Sequence, residues 1–186
     1  RRTAAPEKPR FLQEKRGLTG AERGTAMHLA MQFLPLDTPA VPEAVTAFAE
    51  RLTARRLLTP EQAAALDIPA LARFLASSLA ERIRTAPQVW REYRFALLTD
   101  AGIYDVAAAG EEILLQGVAD CVFETTAGLT VVDFKTDRVT AAEASQRAEA
   151  YRPQRDAYAG ALSRILEKPV TERILYFFAC GEEISL

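Results

Sequence analysis

The sequence predicts an α/β fold, with a largely helical first half followed by a small sheet that has helices packed around it. Three observations carry this reading. Apolar residues recur every three to four positions up to about residue 84, the helical period. From Glu92 the recurrence shortens to about two, the period of a half-buried strand. Helix start signals then return at Thr140 and Pro153, ahead of one last apolar run over 174–179.

Taken in order, residues 1–18 mix prolines with charges (Pro6, Lys8, Pro9, Arg10, Lys15, Arg16), the composition of a linker or arm. Thr19 with Glu22 three places on forms a capping box, which opens a helix to about Leu34. Met27, Met31 and Leu34 make its core-facing stripe, and Pro35 and Pro39 end it. A second helical pattern covers 42–58, with Val45, Phe48, Ala49 and Leu52 on one side. Thr59-Pro60-Glu61-Gln62 supplies an N-cap, a proline at N1 and a glutamine at N3, and starts a short helix. Residues 69–84 read as one further helix, its apolar face formed by Leu71, Phe74, Leu75, Leu79 and Ile83.

Strands are expected over 92–98, 113–124 and 129–135, the last two joined by a short turn at 125–128 that ends in Gly128. Thr140 with Glu143 is another capping box, for a helix to about Ala150. Pro153 opens one to about Leu166, and 174–179 is the final strand. Residues 19–186 thus read as a single domain, mainly helical over 19–88 and an α/β core over 89–186.

Composition narrows the function classes. At 49% hydrophobic and 26% charged, the 186-residue chain has the make-up of a soluble protein with a real core. No stretch approaches the roughly 20 apolar residues of a membrane helix, and residues 1–16 have no apolar centre of the kind a secretory signal needs. Two cysteines, Cys121 and Cys180, are too few for a disulfide framework, a four-cysteine zinc site or an iron–sulfur cluster. A cytoplasmic protein is expected. The first residue, Arg1, suggests a fragment of a longer polypeptide. Neither a G-x-G-x-x-G run nor a phosphate-loop lysine motif is present, which removes nucleotide-binding α/β domains. The net charge of −2 is low for a protein that grips nucleic acid alone, so either its basic residues cluster or other domains do the gripping.

The chemistry centres on Asp133-Phe134-Lys135. Residues two apart in a strand face the same way, so Asp133 and Lys135 project together while Val132 and Phe134 enter the opposite face. The preceding strand carries Gly117-Val118-Ala119-Asp120, and a hairpin can bring Asp120 near Asp133, although the register is not readable. Two close carboxylates repel, and a bound divalent cation resolves that repulsion. Removing either should therefore leave the metal-free fold unchanged or more stable. His28 is the only histidine, on a helix beside the methionine stripe; Gly24, one turn earlier, hints at close backbone approach. Gln154 and Tyr158 share a helix face, and Glu92 lies in an early strand.

In this order, Gly24-x-x-x-His28, Glu92-x-x-Phe95, Gly117-Val118-Ala119-Asp120, Asp133-Phe134-Lys135-Thr136-Asp137 and Gln154-x-x-x-Tyr158 resemble the RecB-type branch of the PD-(D/E)XK nucleases. The likeness is closest to the C-terminal nuclease domain of the A-type polypeptide in AddAB helicase–nucleases and covers roughly residues 17–180. It implies a restriction-endonuclease-like core, a small mixed sheet flanked by helices. It also implies a Mg²⁺- or Mn²⁺-dependent exonuclease acting on DNA, with the single strand expected as substrate, in double-strand-break processing for recombinational repair. By the resemblance, His28, Asp120, Asp133 and the backbone carbonyl of Phe134 are metal ligands and Lys135 is the catalytic lysine. Gln154 and Tyr158 would position the active site and the DNA, with Glu92 in a supporting role. The expected partners are helicase domains of the same polypeptide and a second nuclease–helicase subunit, with no membrane and no iron–sulfur cluster. The competing readings are a stand-alone or CRISPR-associated nuclease of the same superfamily and a non-catalytic DNA-binding relative.

Overall fold

The computed structural model describes residues 18–103 and 106–186; the expected arm over 1–18 lies almost wholly outside them. Helix α1 (Gly20–Phe33) begins at the expected capping box: the Glu22 N–H donates to the Thr19 hydroxyl, and the Thr19 N–H to the Glu22 carboxylate. Helices α2 (Pro42–Ala54) and α3 (Pro60–Ala64) follow, α3 capped by Thr59 and Gln62 as the sequence indicates.

The single helix expected over 69–84 is two. Helix α4 (Ile68–Leu75) stops and α5 (Ser78–Thr85) starts anew, because the Ser77 hydroxyl accepts from the Ala80 N–H and donates to the Phe74 carbonyl. A serine that bonds locally to the backbone in this way favours a cap over a helix interior. Both short helices keep their apolar faces on the core, so the helical spacing survives the break.

Five strands form one sheet in sequence order: β1 (Val89–Asp100), β2 (Glu112–Thr125), β3 (Gly128–Lys135), β4 (Val170–Phe177) and β5 (Glu182–Ser185). All neighbours are antiparallel except β3 and β4, which run parallel across a connection made by α6 (Ala141–Glu149) and α7 (Arg152–Ile165). This is the mixed α/β sheet that the period change implied. Three strand expectations needed correction: β1 is longer at both ends, β4 begins at Val170, and the edge strand β5 was not anticipated. Four residues beyond the turn at Gly181 (φ +76°), only one of them apolar, are too short a run to stand out from a loop.

The sheet separates two apolar clusters. On one face, α1, α2, α4 and α5 pack onto Cys121, Phe123, Val132, Phe134, Ile174 and Tyr176. Phe74 anchors this side, with its ring edge-on to Phe134 and Tyr176 at 5.4 and 5.1 Å. On the other face, Ala161 and Leu162 of α7 cover Phe95, Ala119, Val122, Leu129 and Val131. Helix α6 closes the β4–β5 end through Ala144 and Ala148 on Leu175 and Phe177.

Candidate active site

The site forms where the sheet forks. The ladder between β2 and β3 stops at Cys121↔Val132, after which β2 stays paired with β1 and β3 with β4. One step further in the same register, Asp120 and Asp133 are the first residues past the split. The hairpin the sequence implied thus brings the two carboxylates together at a place where backbone pairing has been released.

Side-chain alternation also slips here. Arg91 and Glu92 are consecutive, yet both turn toward α1: the Arg91 guanidinium donates to the Met31 and Leu34 carbonyls, and Glu92 lies beside His28. Glu92 achieves this with φ 49°, left-handed backbone that a non-glycine residue rarely adopts. Its position would face Asp120, and it is the one gap in an otherwise regular β1–β2 ladder. Such strain costs about 1–3 kcal/mol and collects at functional sites. Here it delivers a carboxylate to a cluster.

That cluster is His28, Glu92 and Asp120, whose ligand atoms lie within 4.8 Å of one another. His28 Nδ1 stands 3.3 Å from Asp120 Oδ1, while Asp120 Oδ2 accepts the Phe134 N–H at 2.7 Å. The hydrogen bond to Asp120 raises the His28 pKa above its ordinary value against the effect of burial. Burial works to raise Asp120, but its bond to His28 and the adjacent charge win and hold it low. Glu92 is raised, first by burial and then by the Asp120 charge. Above the cluster is a depression of about 430 Å³, which Thr25, Val118 and Thr136 also line.

Asp133 faces the other side of the fork, toward α7. Lys135 Nζ lies 2.5 Å from its Oδ2, and Arg155 Nη2 is 3.4 Å from its Oδ1. Burial, 6% exposed, pushes its pKa up, and the Asp120 charge adds to this while Arg155 and Lys135 oppose it. Repulsion from Asp120 is present as expected, but losing Asp133 would also strip a buried arginine of its partner. The compact donor cluster also differs from the expected ligand set, for Glu92 joins His28 and Asp120 while Asp133 is engaged by cations. Phe134 keeps its ring in the aromatic core and gives its N–H to Asp120.

Two residues that the sequence reading missed complete the geometry. Arg155 is 3% exposed, with its guanidinium carbon 4.9 Å from the Tyr158 ring centroid; Nε and Nη1 have no hydrogen-bond partner. Tyr151 lies under Lys135, whose Nζ is 3.8 Å from the ring centroid, and its hydroxyl reaches Asp137 at 3.2 Å. Tyr151, the residue that caps α7, and Arg155 and Tyr158 within it stand at i, i+4 and i+7, the spacing of a sheet-facing stripe. A charged residue inside that stripe was the available signal.

Gln154 and Tyr158 share a face as expected, with Gln154 Nε2 3.4 Å from the Tyr158 hydroxyl. Tyr158 packs edge-on to Phe95 at 4.9 Å, and both rings press on Gly117, where an added Cβ would come within 2.5 Å of Tyr158 and 2.7 Å of Phe95. The glycine of the Gly117-x-x-Asp120 pattern is thus there to admit two rings. Gly24 plays a similar part for α1, since a Cβ there would stand 3.0 Å from Thr136 Oγ1.

Residues 5–184 match the family profile described as the PD-(D/E)XK nuclease superfamily. Among curated proteins, the A-type polypeptide of the ATP-dependent helicase/nuclease of Desulforamulus reducens is 40% identical over 182 residues, which cover 96% of this chain and 14% of that protein. The protein of that name from Moorella thermoacetica is 40% identical over 185 residues, covering 96% of this chain and 13% of its own length. The one from Bacillus velezensis is 36% identical over 190 residues, 96% and 15% respectively. The chain therefore spans a small part of the relatives it matches.

Proposed function

The chain belongs to the PD-(D/E)XK nuclease superfamily, and from that premise we propose that it hydrolyses DNA phosphodiester bonds as the nuclease part of a helicase–nuclease. The observation that carries the proposal is the fork itself: two carboxylates at the point where β2 and β3 part, with an imidazole, a third carboxylate and an ammonium group around them.

The donor chemistry fits a hard divalent cation. Carboxylate oxygens suit Mg²⁺, and one imidazole nitrogen extends tolerance to Mn²⁺. His28, Glu92 and Asp120 have donor atoms close enough to share one ion. Asp133 and the Phe134 carbonyl would complete the set from the other arm of the fork. When bound, the cation supplies charge neutralisation for the phosphate and lowers the pKa of a nearby water.

The remaining work falls to the protein. Lys135, held between Asp133 and the Tyr151 ring, keeps an ammonium group at the fork to orient water or stabilise charge developing on the phosphate. Arg155 fixes the Asp133 carboxylate from beneath, so that its position does not depend on the cation alone. Gln154, exposed at the start of α7, and Tyr158, braced by Phe95, suit contact with a DNA strand.

We further read the activity as exonucleolytic, on a single strand fed by helicase domains of the same polypeptide; the partner in this reading is a second nuclease–helicase subunit. The names of the relatives support the helicase association. No helix among the described residues is long and apolar enough to cross a membrane, and the two free cysteines suit a reducing cytoplasm. The test is cleavage of end-labelled single-stranded DNA in Mg²⁺, Mn²⁺ or EDTA. Cutting that needs a cation and disappears in Lys135→Ala is expected, and full activity in EDTA or in that variant would overturn the proposal.

A further inference from the structure

Resting on the nuclease reading above, we propose that the cavity beside the metal cluster is a nucleoside subsite, which holds the sugar and base next to the scissile phosphate. This cavity, about 470 Å³, lies between the N-terminal turns of α1, the end of α3 and the segment following β3. Its size falls within the roughly 300–1,000 Å³ range of small-molecule sites. It adjoins the depression above the cluster, since Gly20, Gly24 and Thr136 line both spaces.

The lining suits a nucleoside. Met27 and Phe178, 5% and 3% exposed, give it an apolar floor on which a base can lie. Arg23 and Arg138 stand at the rim, both exposed. Arg138 forms no ion pair with any described residue, and Arg23 spends only its Nε, on the Leu18 carbonyl. The carboxylates nearby are already occupied in part: Asp137 holds Arg147 and Tyr151, and Asp67 caps α4 through the Ala70 N–H. Among the described residues, most of both guanidinium groups is thus left to meet the phosphate that follows the nucleoside along the strand. Gly20 and Gly24 present only backbone at the boundary between the two spaces. A Cβ added at Gly24 would stand 3.0 Å from Thr136 Oγ1 and crowd that boundary.

The test uses the full-length polypeptide carrying this chain, without ATP, cutting a labelled oligothymidylate in Mn²⁺. Thymidine 5′-monophosphate, thymidine 3′-monophosphate, thymidine 3′,5′-bisphosphate and methyl phosphate are compared as inhibitors. A nucleoside subsite predicts that at least one of the two mononucleotides inhibits ten-fold or more better than methyl phosphate. Ala65→Phe, which fills the cavity, should remove most of that advantage while leaving inhibition by methyl phosphate within two-fold, and Arg138→Glu should remove the further gain that thymidine 3′,5′-bisphosphate shows over the better mononucleotide. Equal inhibition by the two mononucleotides and methyl phosphate, or a mononucleotide advantage that survives Ala65→Phe, overturns the subsite. Failure of the unmodified protein to cut the oligonucleotide at all would instead refute the nuclease reading on which it rests.

Discussion

Replacing Asp133 by alanine should destabilise the metal-free protein strongly. Asp133 is the only carboxylate within ion-pair distance of Arg155 among the described residues, and both are almost fully buried. Two of the three guanidinium nitrogens, Nε and Nη1, have no hydrogen-bond partner to compensate. Breaking a buried pair by removing one member costs about 3–5 kcal/mol, most of it from the charge left behind. The Tyr158 ring against Arg155 offsets part of this, so about 3 kcal/mol is expected. For a domain of this size that lowers Tm by roughly 6–12 °C, at about 2–4 °C per kcal/mol. Arg155→Met alone should cost less, because a carboxyl whose pKa burial already raises can take up a proton. The double variant should recover about 1–2 kcal/mol relative to Asp133→Ala, the coupling expected of contacting residues. Guanidinium denaturation in EDTA measures all three. A single Asp133→Ala variant as stable as the parent, or a double variant no better than the single, would refute the reasoning.

Three further outcomes follow from the same geometry. Lys135→Ala should abolish cleavage while the protein stays folded, at a cost smaller than that of Asp133→Ala, because Asp133 keeps Arg155 as a partner when the largely buried ammonium is lost; circular dichroism and denaturation alongside the cleavage assay check it. Gly117→Ala should cost about 1–3 kcal/mol by overpacking against Tyr158 and Phe95 and should also slow cleavage, whereas Gly160→Ala, with open space around it, should do neither. His28 has a folded-state pKa above 6.5, so the stability it adds to the metal-free protein is fully present below the unfolded value and is lost as pH rises through the folded one. The stability gap between the parent and His28→Gln in EDTA should therefore be larger at pH 5.5 than at pH 8.5. The apparent Mn²⁺ affinity should change in the opposite sense, weakening as acid protonates the imidazole.

Local chemistry was legible in the sequence where it is local in the fold. Thr19 with Glu22 and Thr140 with Glu143 close capping boxes in which both partners sit within one turn. The facing of Asp133 and Lys135 follows from strand period alone. What depends on the third dimension was not legible. Helix α4 ends where Ser77 finds a nearby backbone carbonyl, and serine does that in some contexts only. The fork at Cys121↔Val132 is a matter of register, and the left-handed Glu92 is a strain that the surrounding packing imposes. Neither leaves a trace in residue type. Arg155 did leave one, a charge at a sheet-facing position between two motif residues, which became meaningful only when Asp133 appeared opposite it.

Diffraction from crystals soaked in Mn²⁺, recorded at a wavelength where manganese scatters anomalously, tests the central claim most directly. The account predicts a peak at the fork within bonding distance of Asp120 and of His28 or Glu92, lost in Asp120→Ala. A peak elsewhere on the molecule, or none at saturating Mn²⁺, would contradict it.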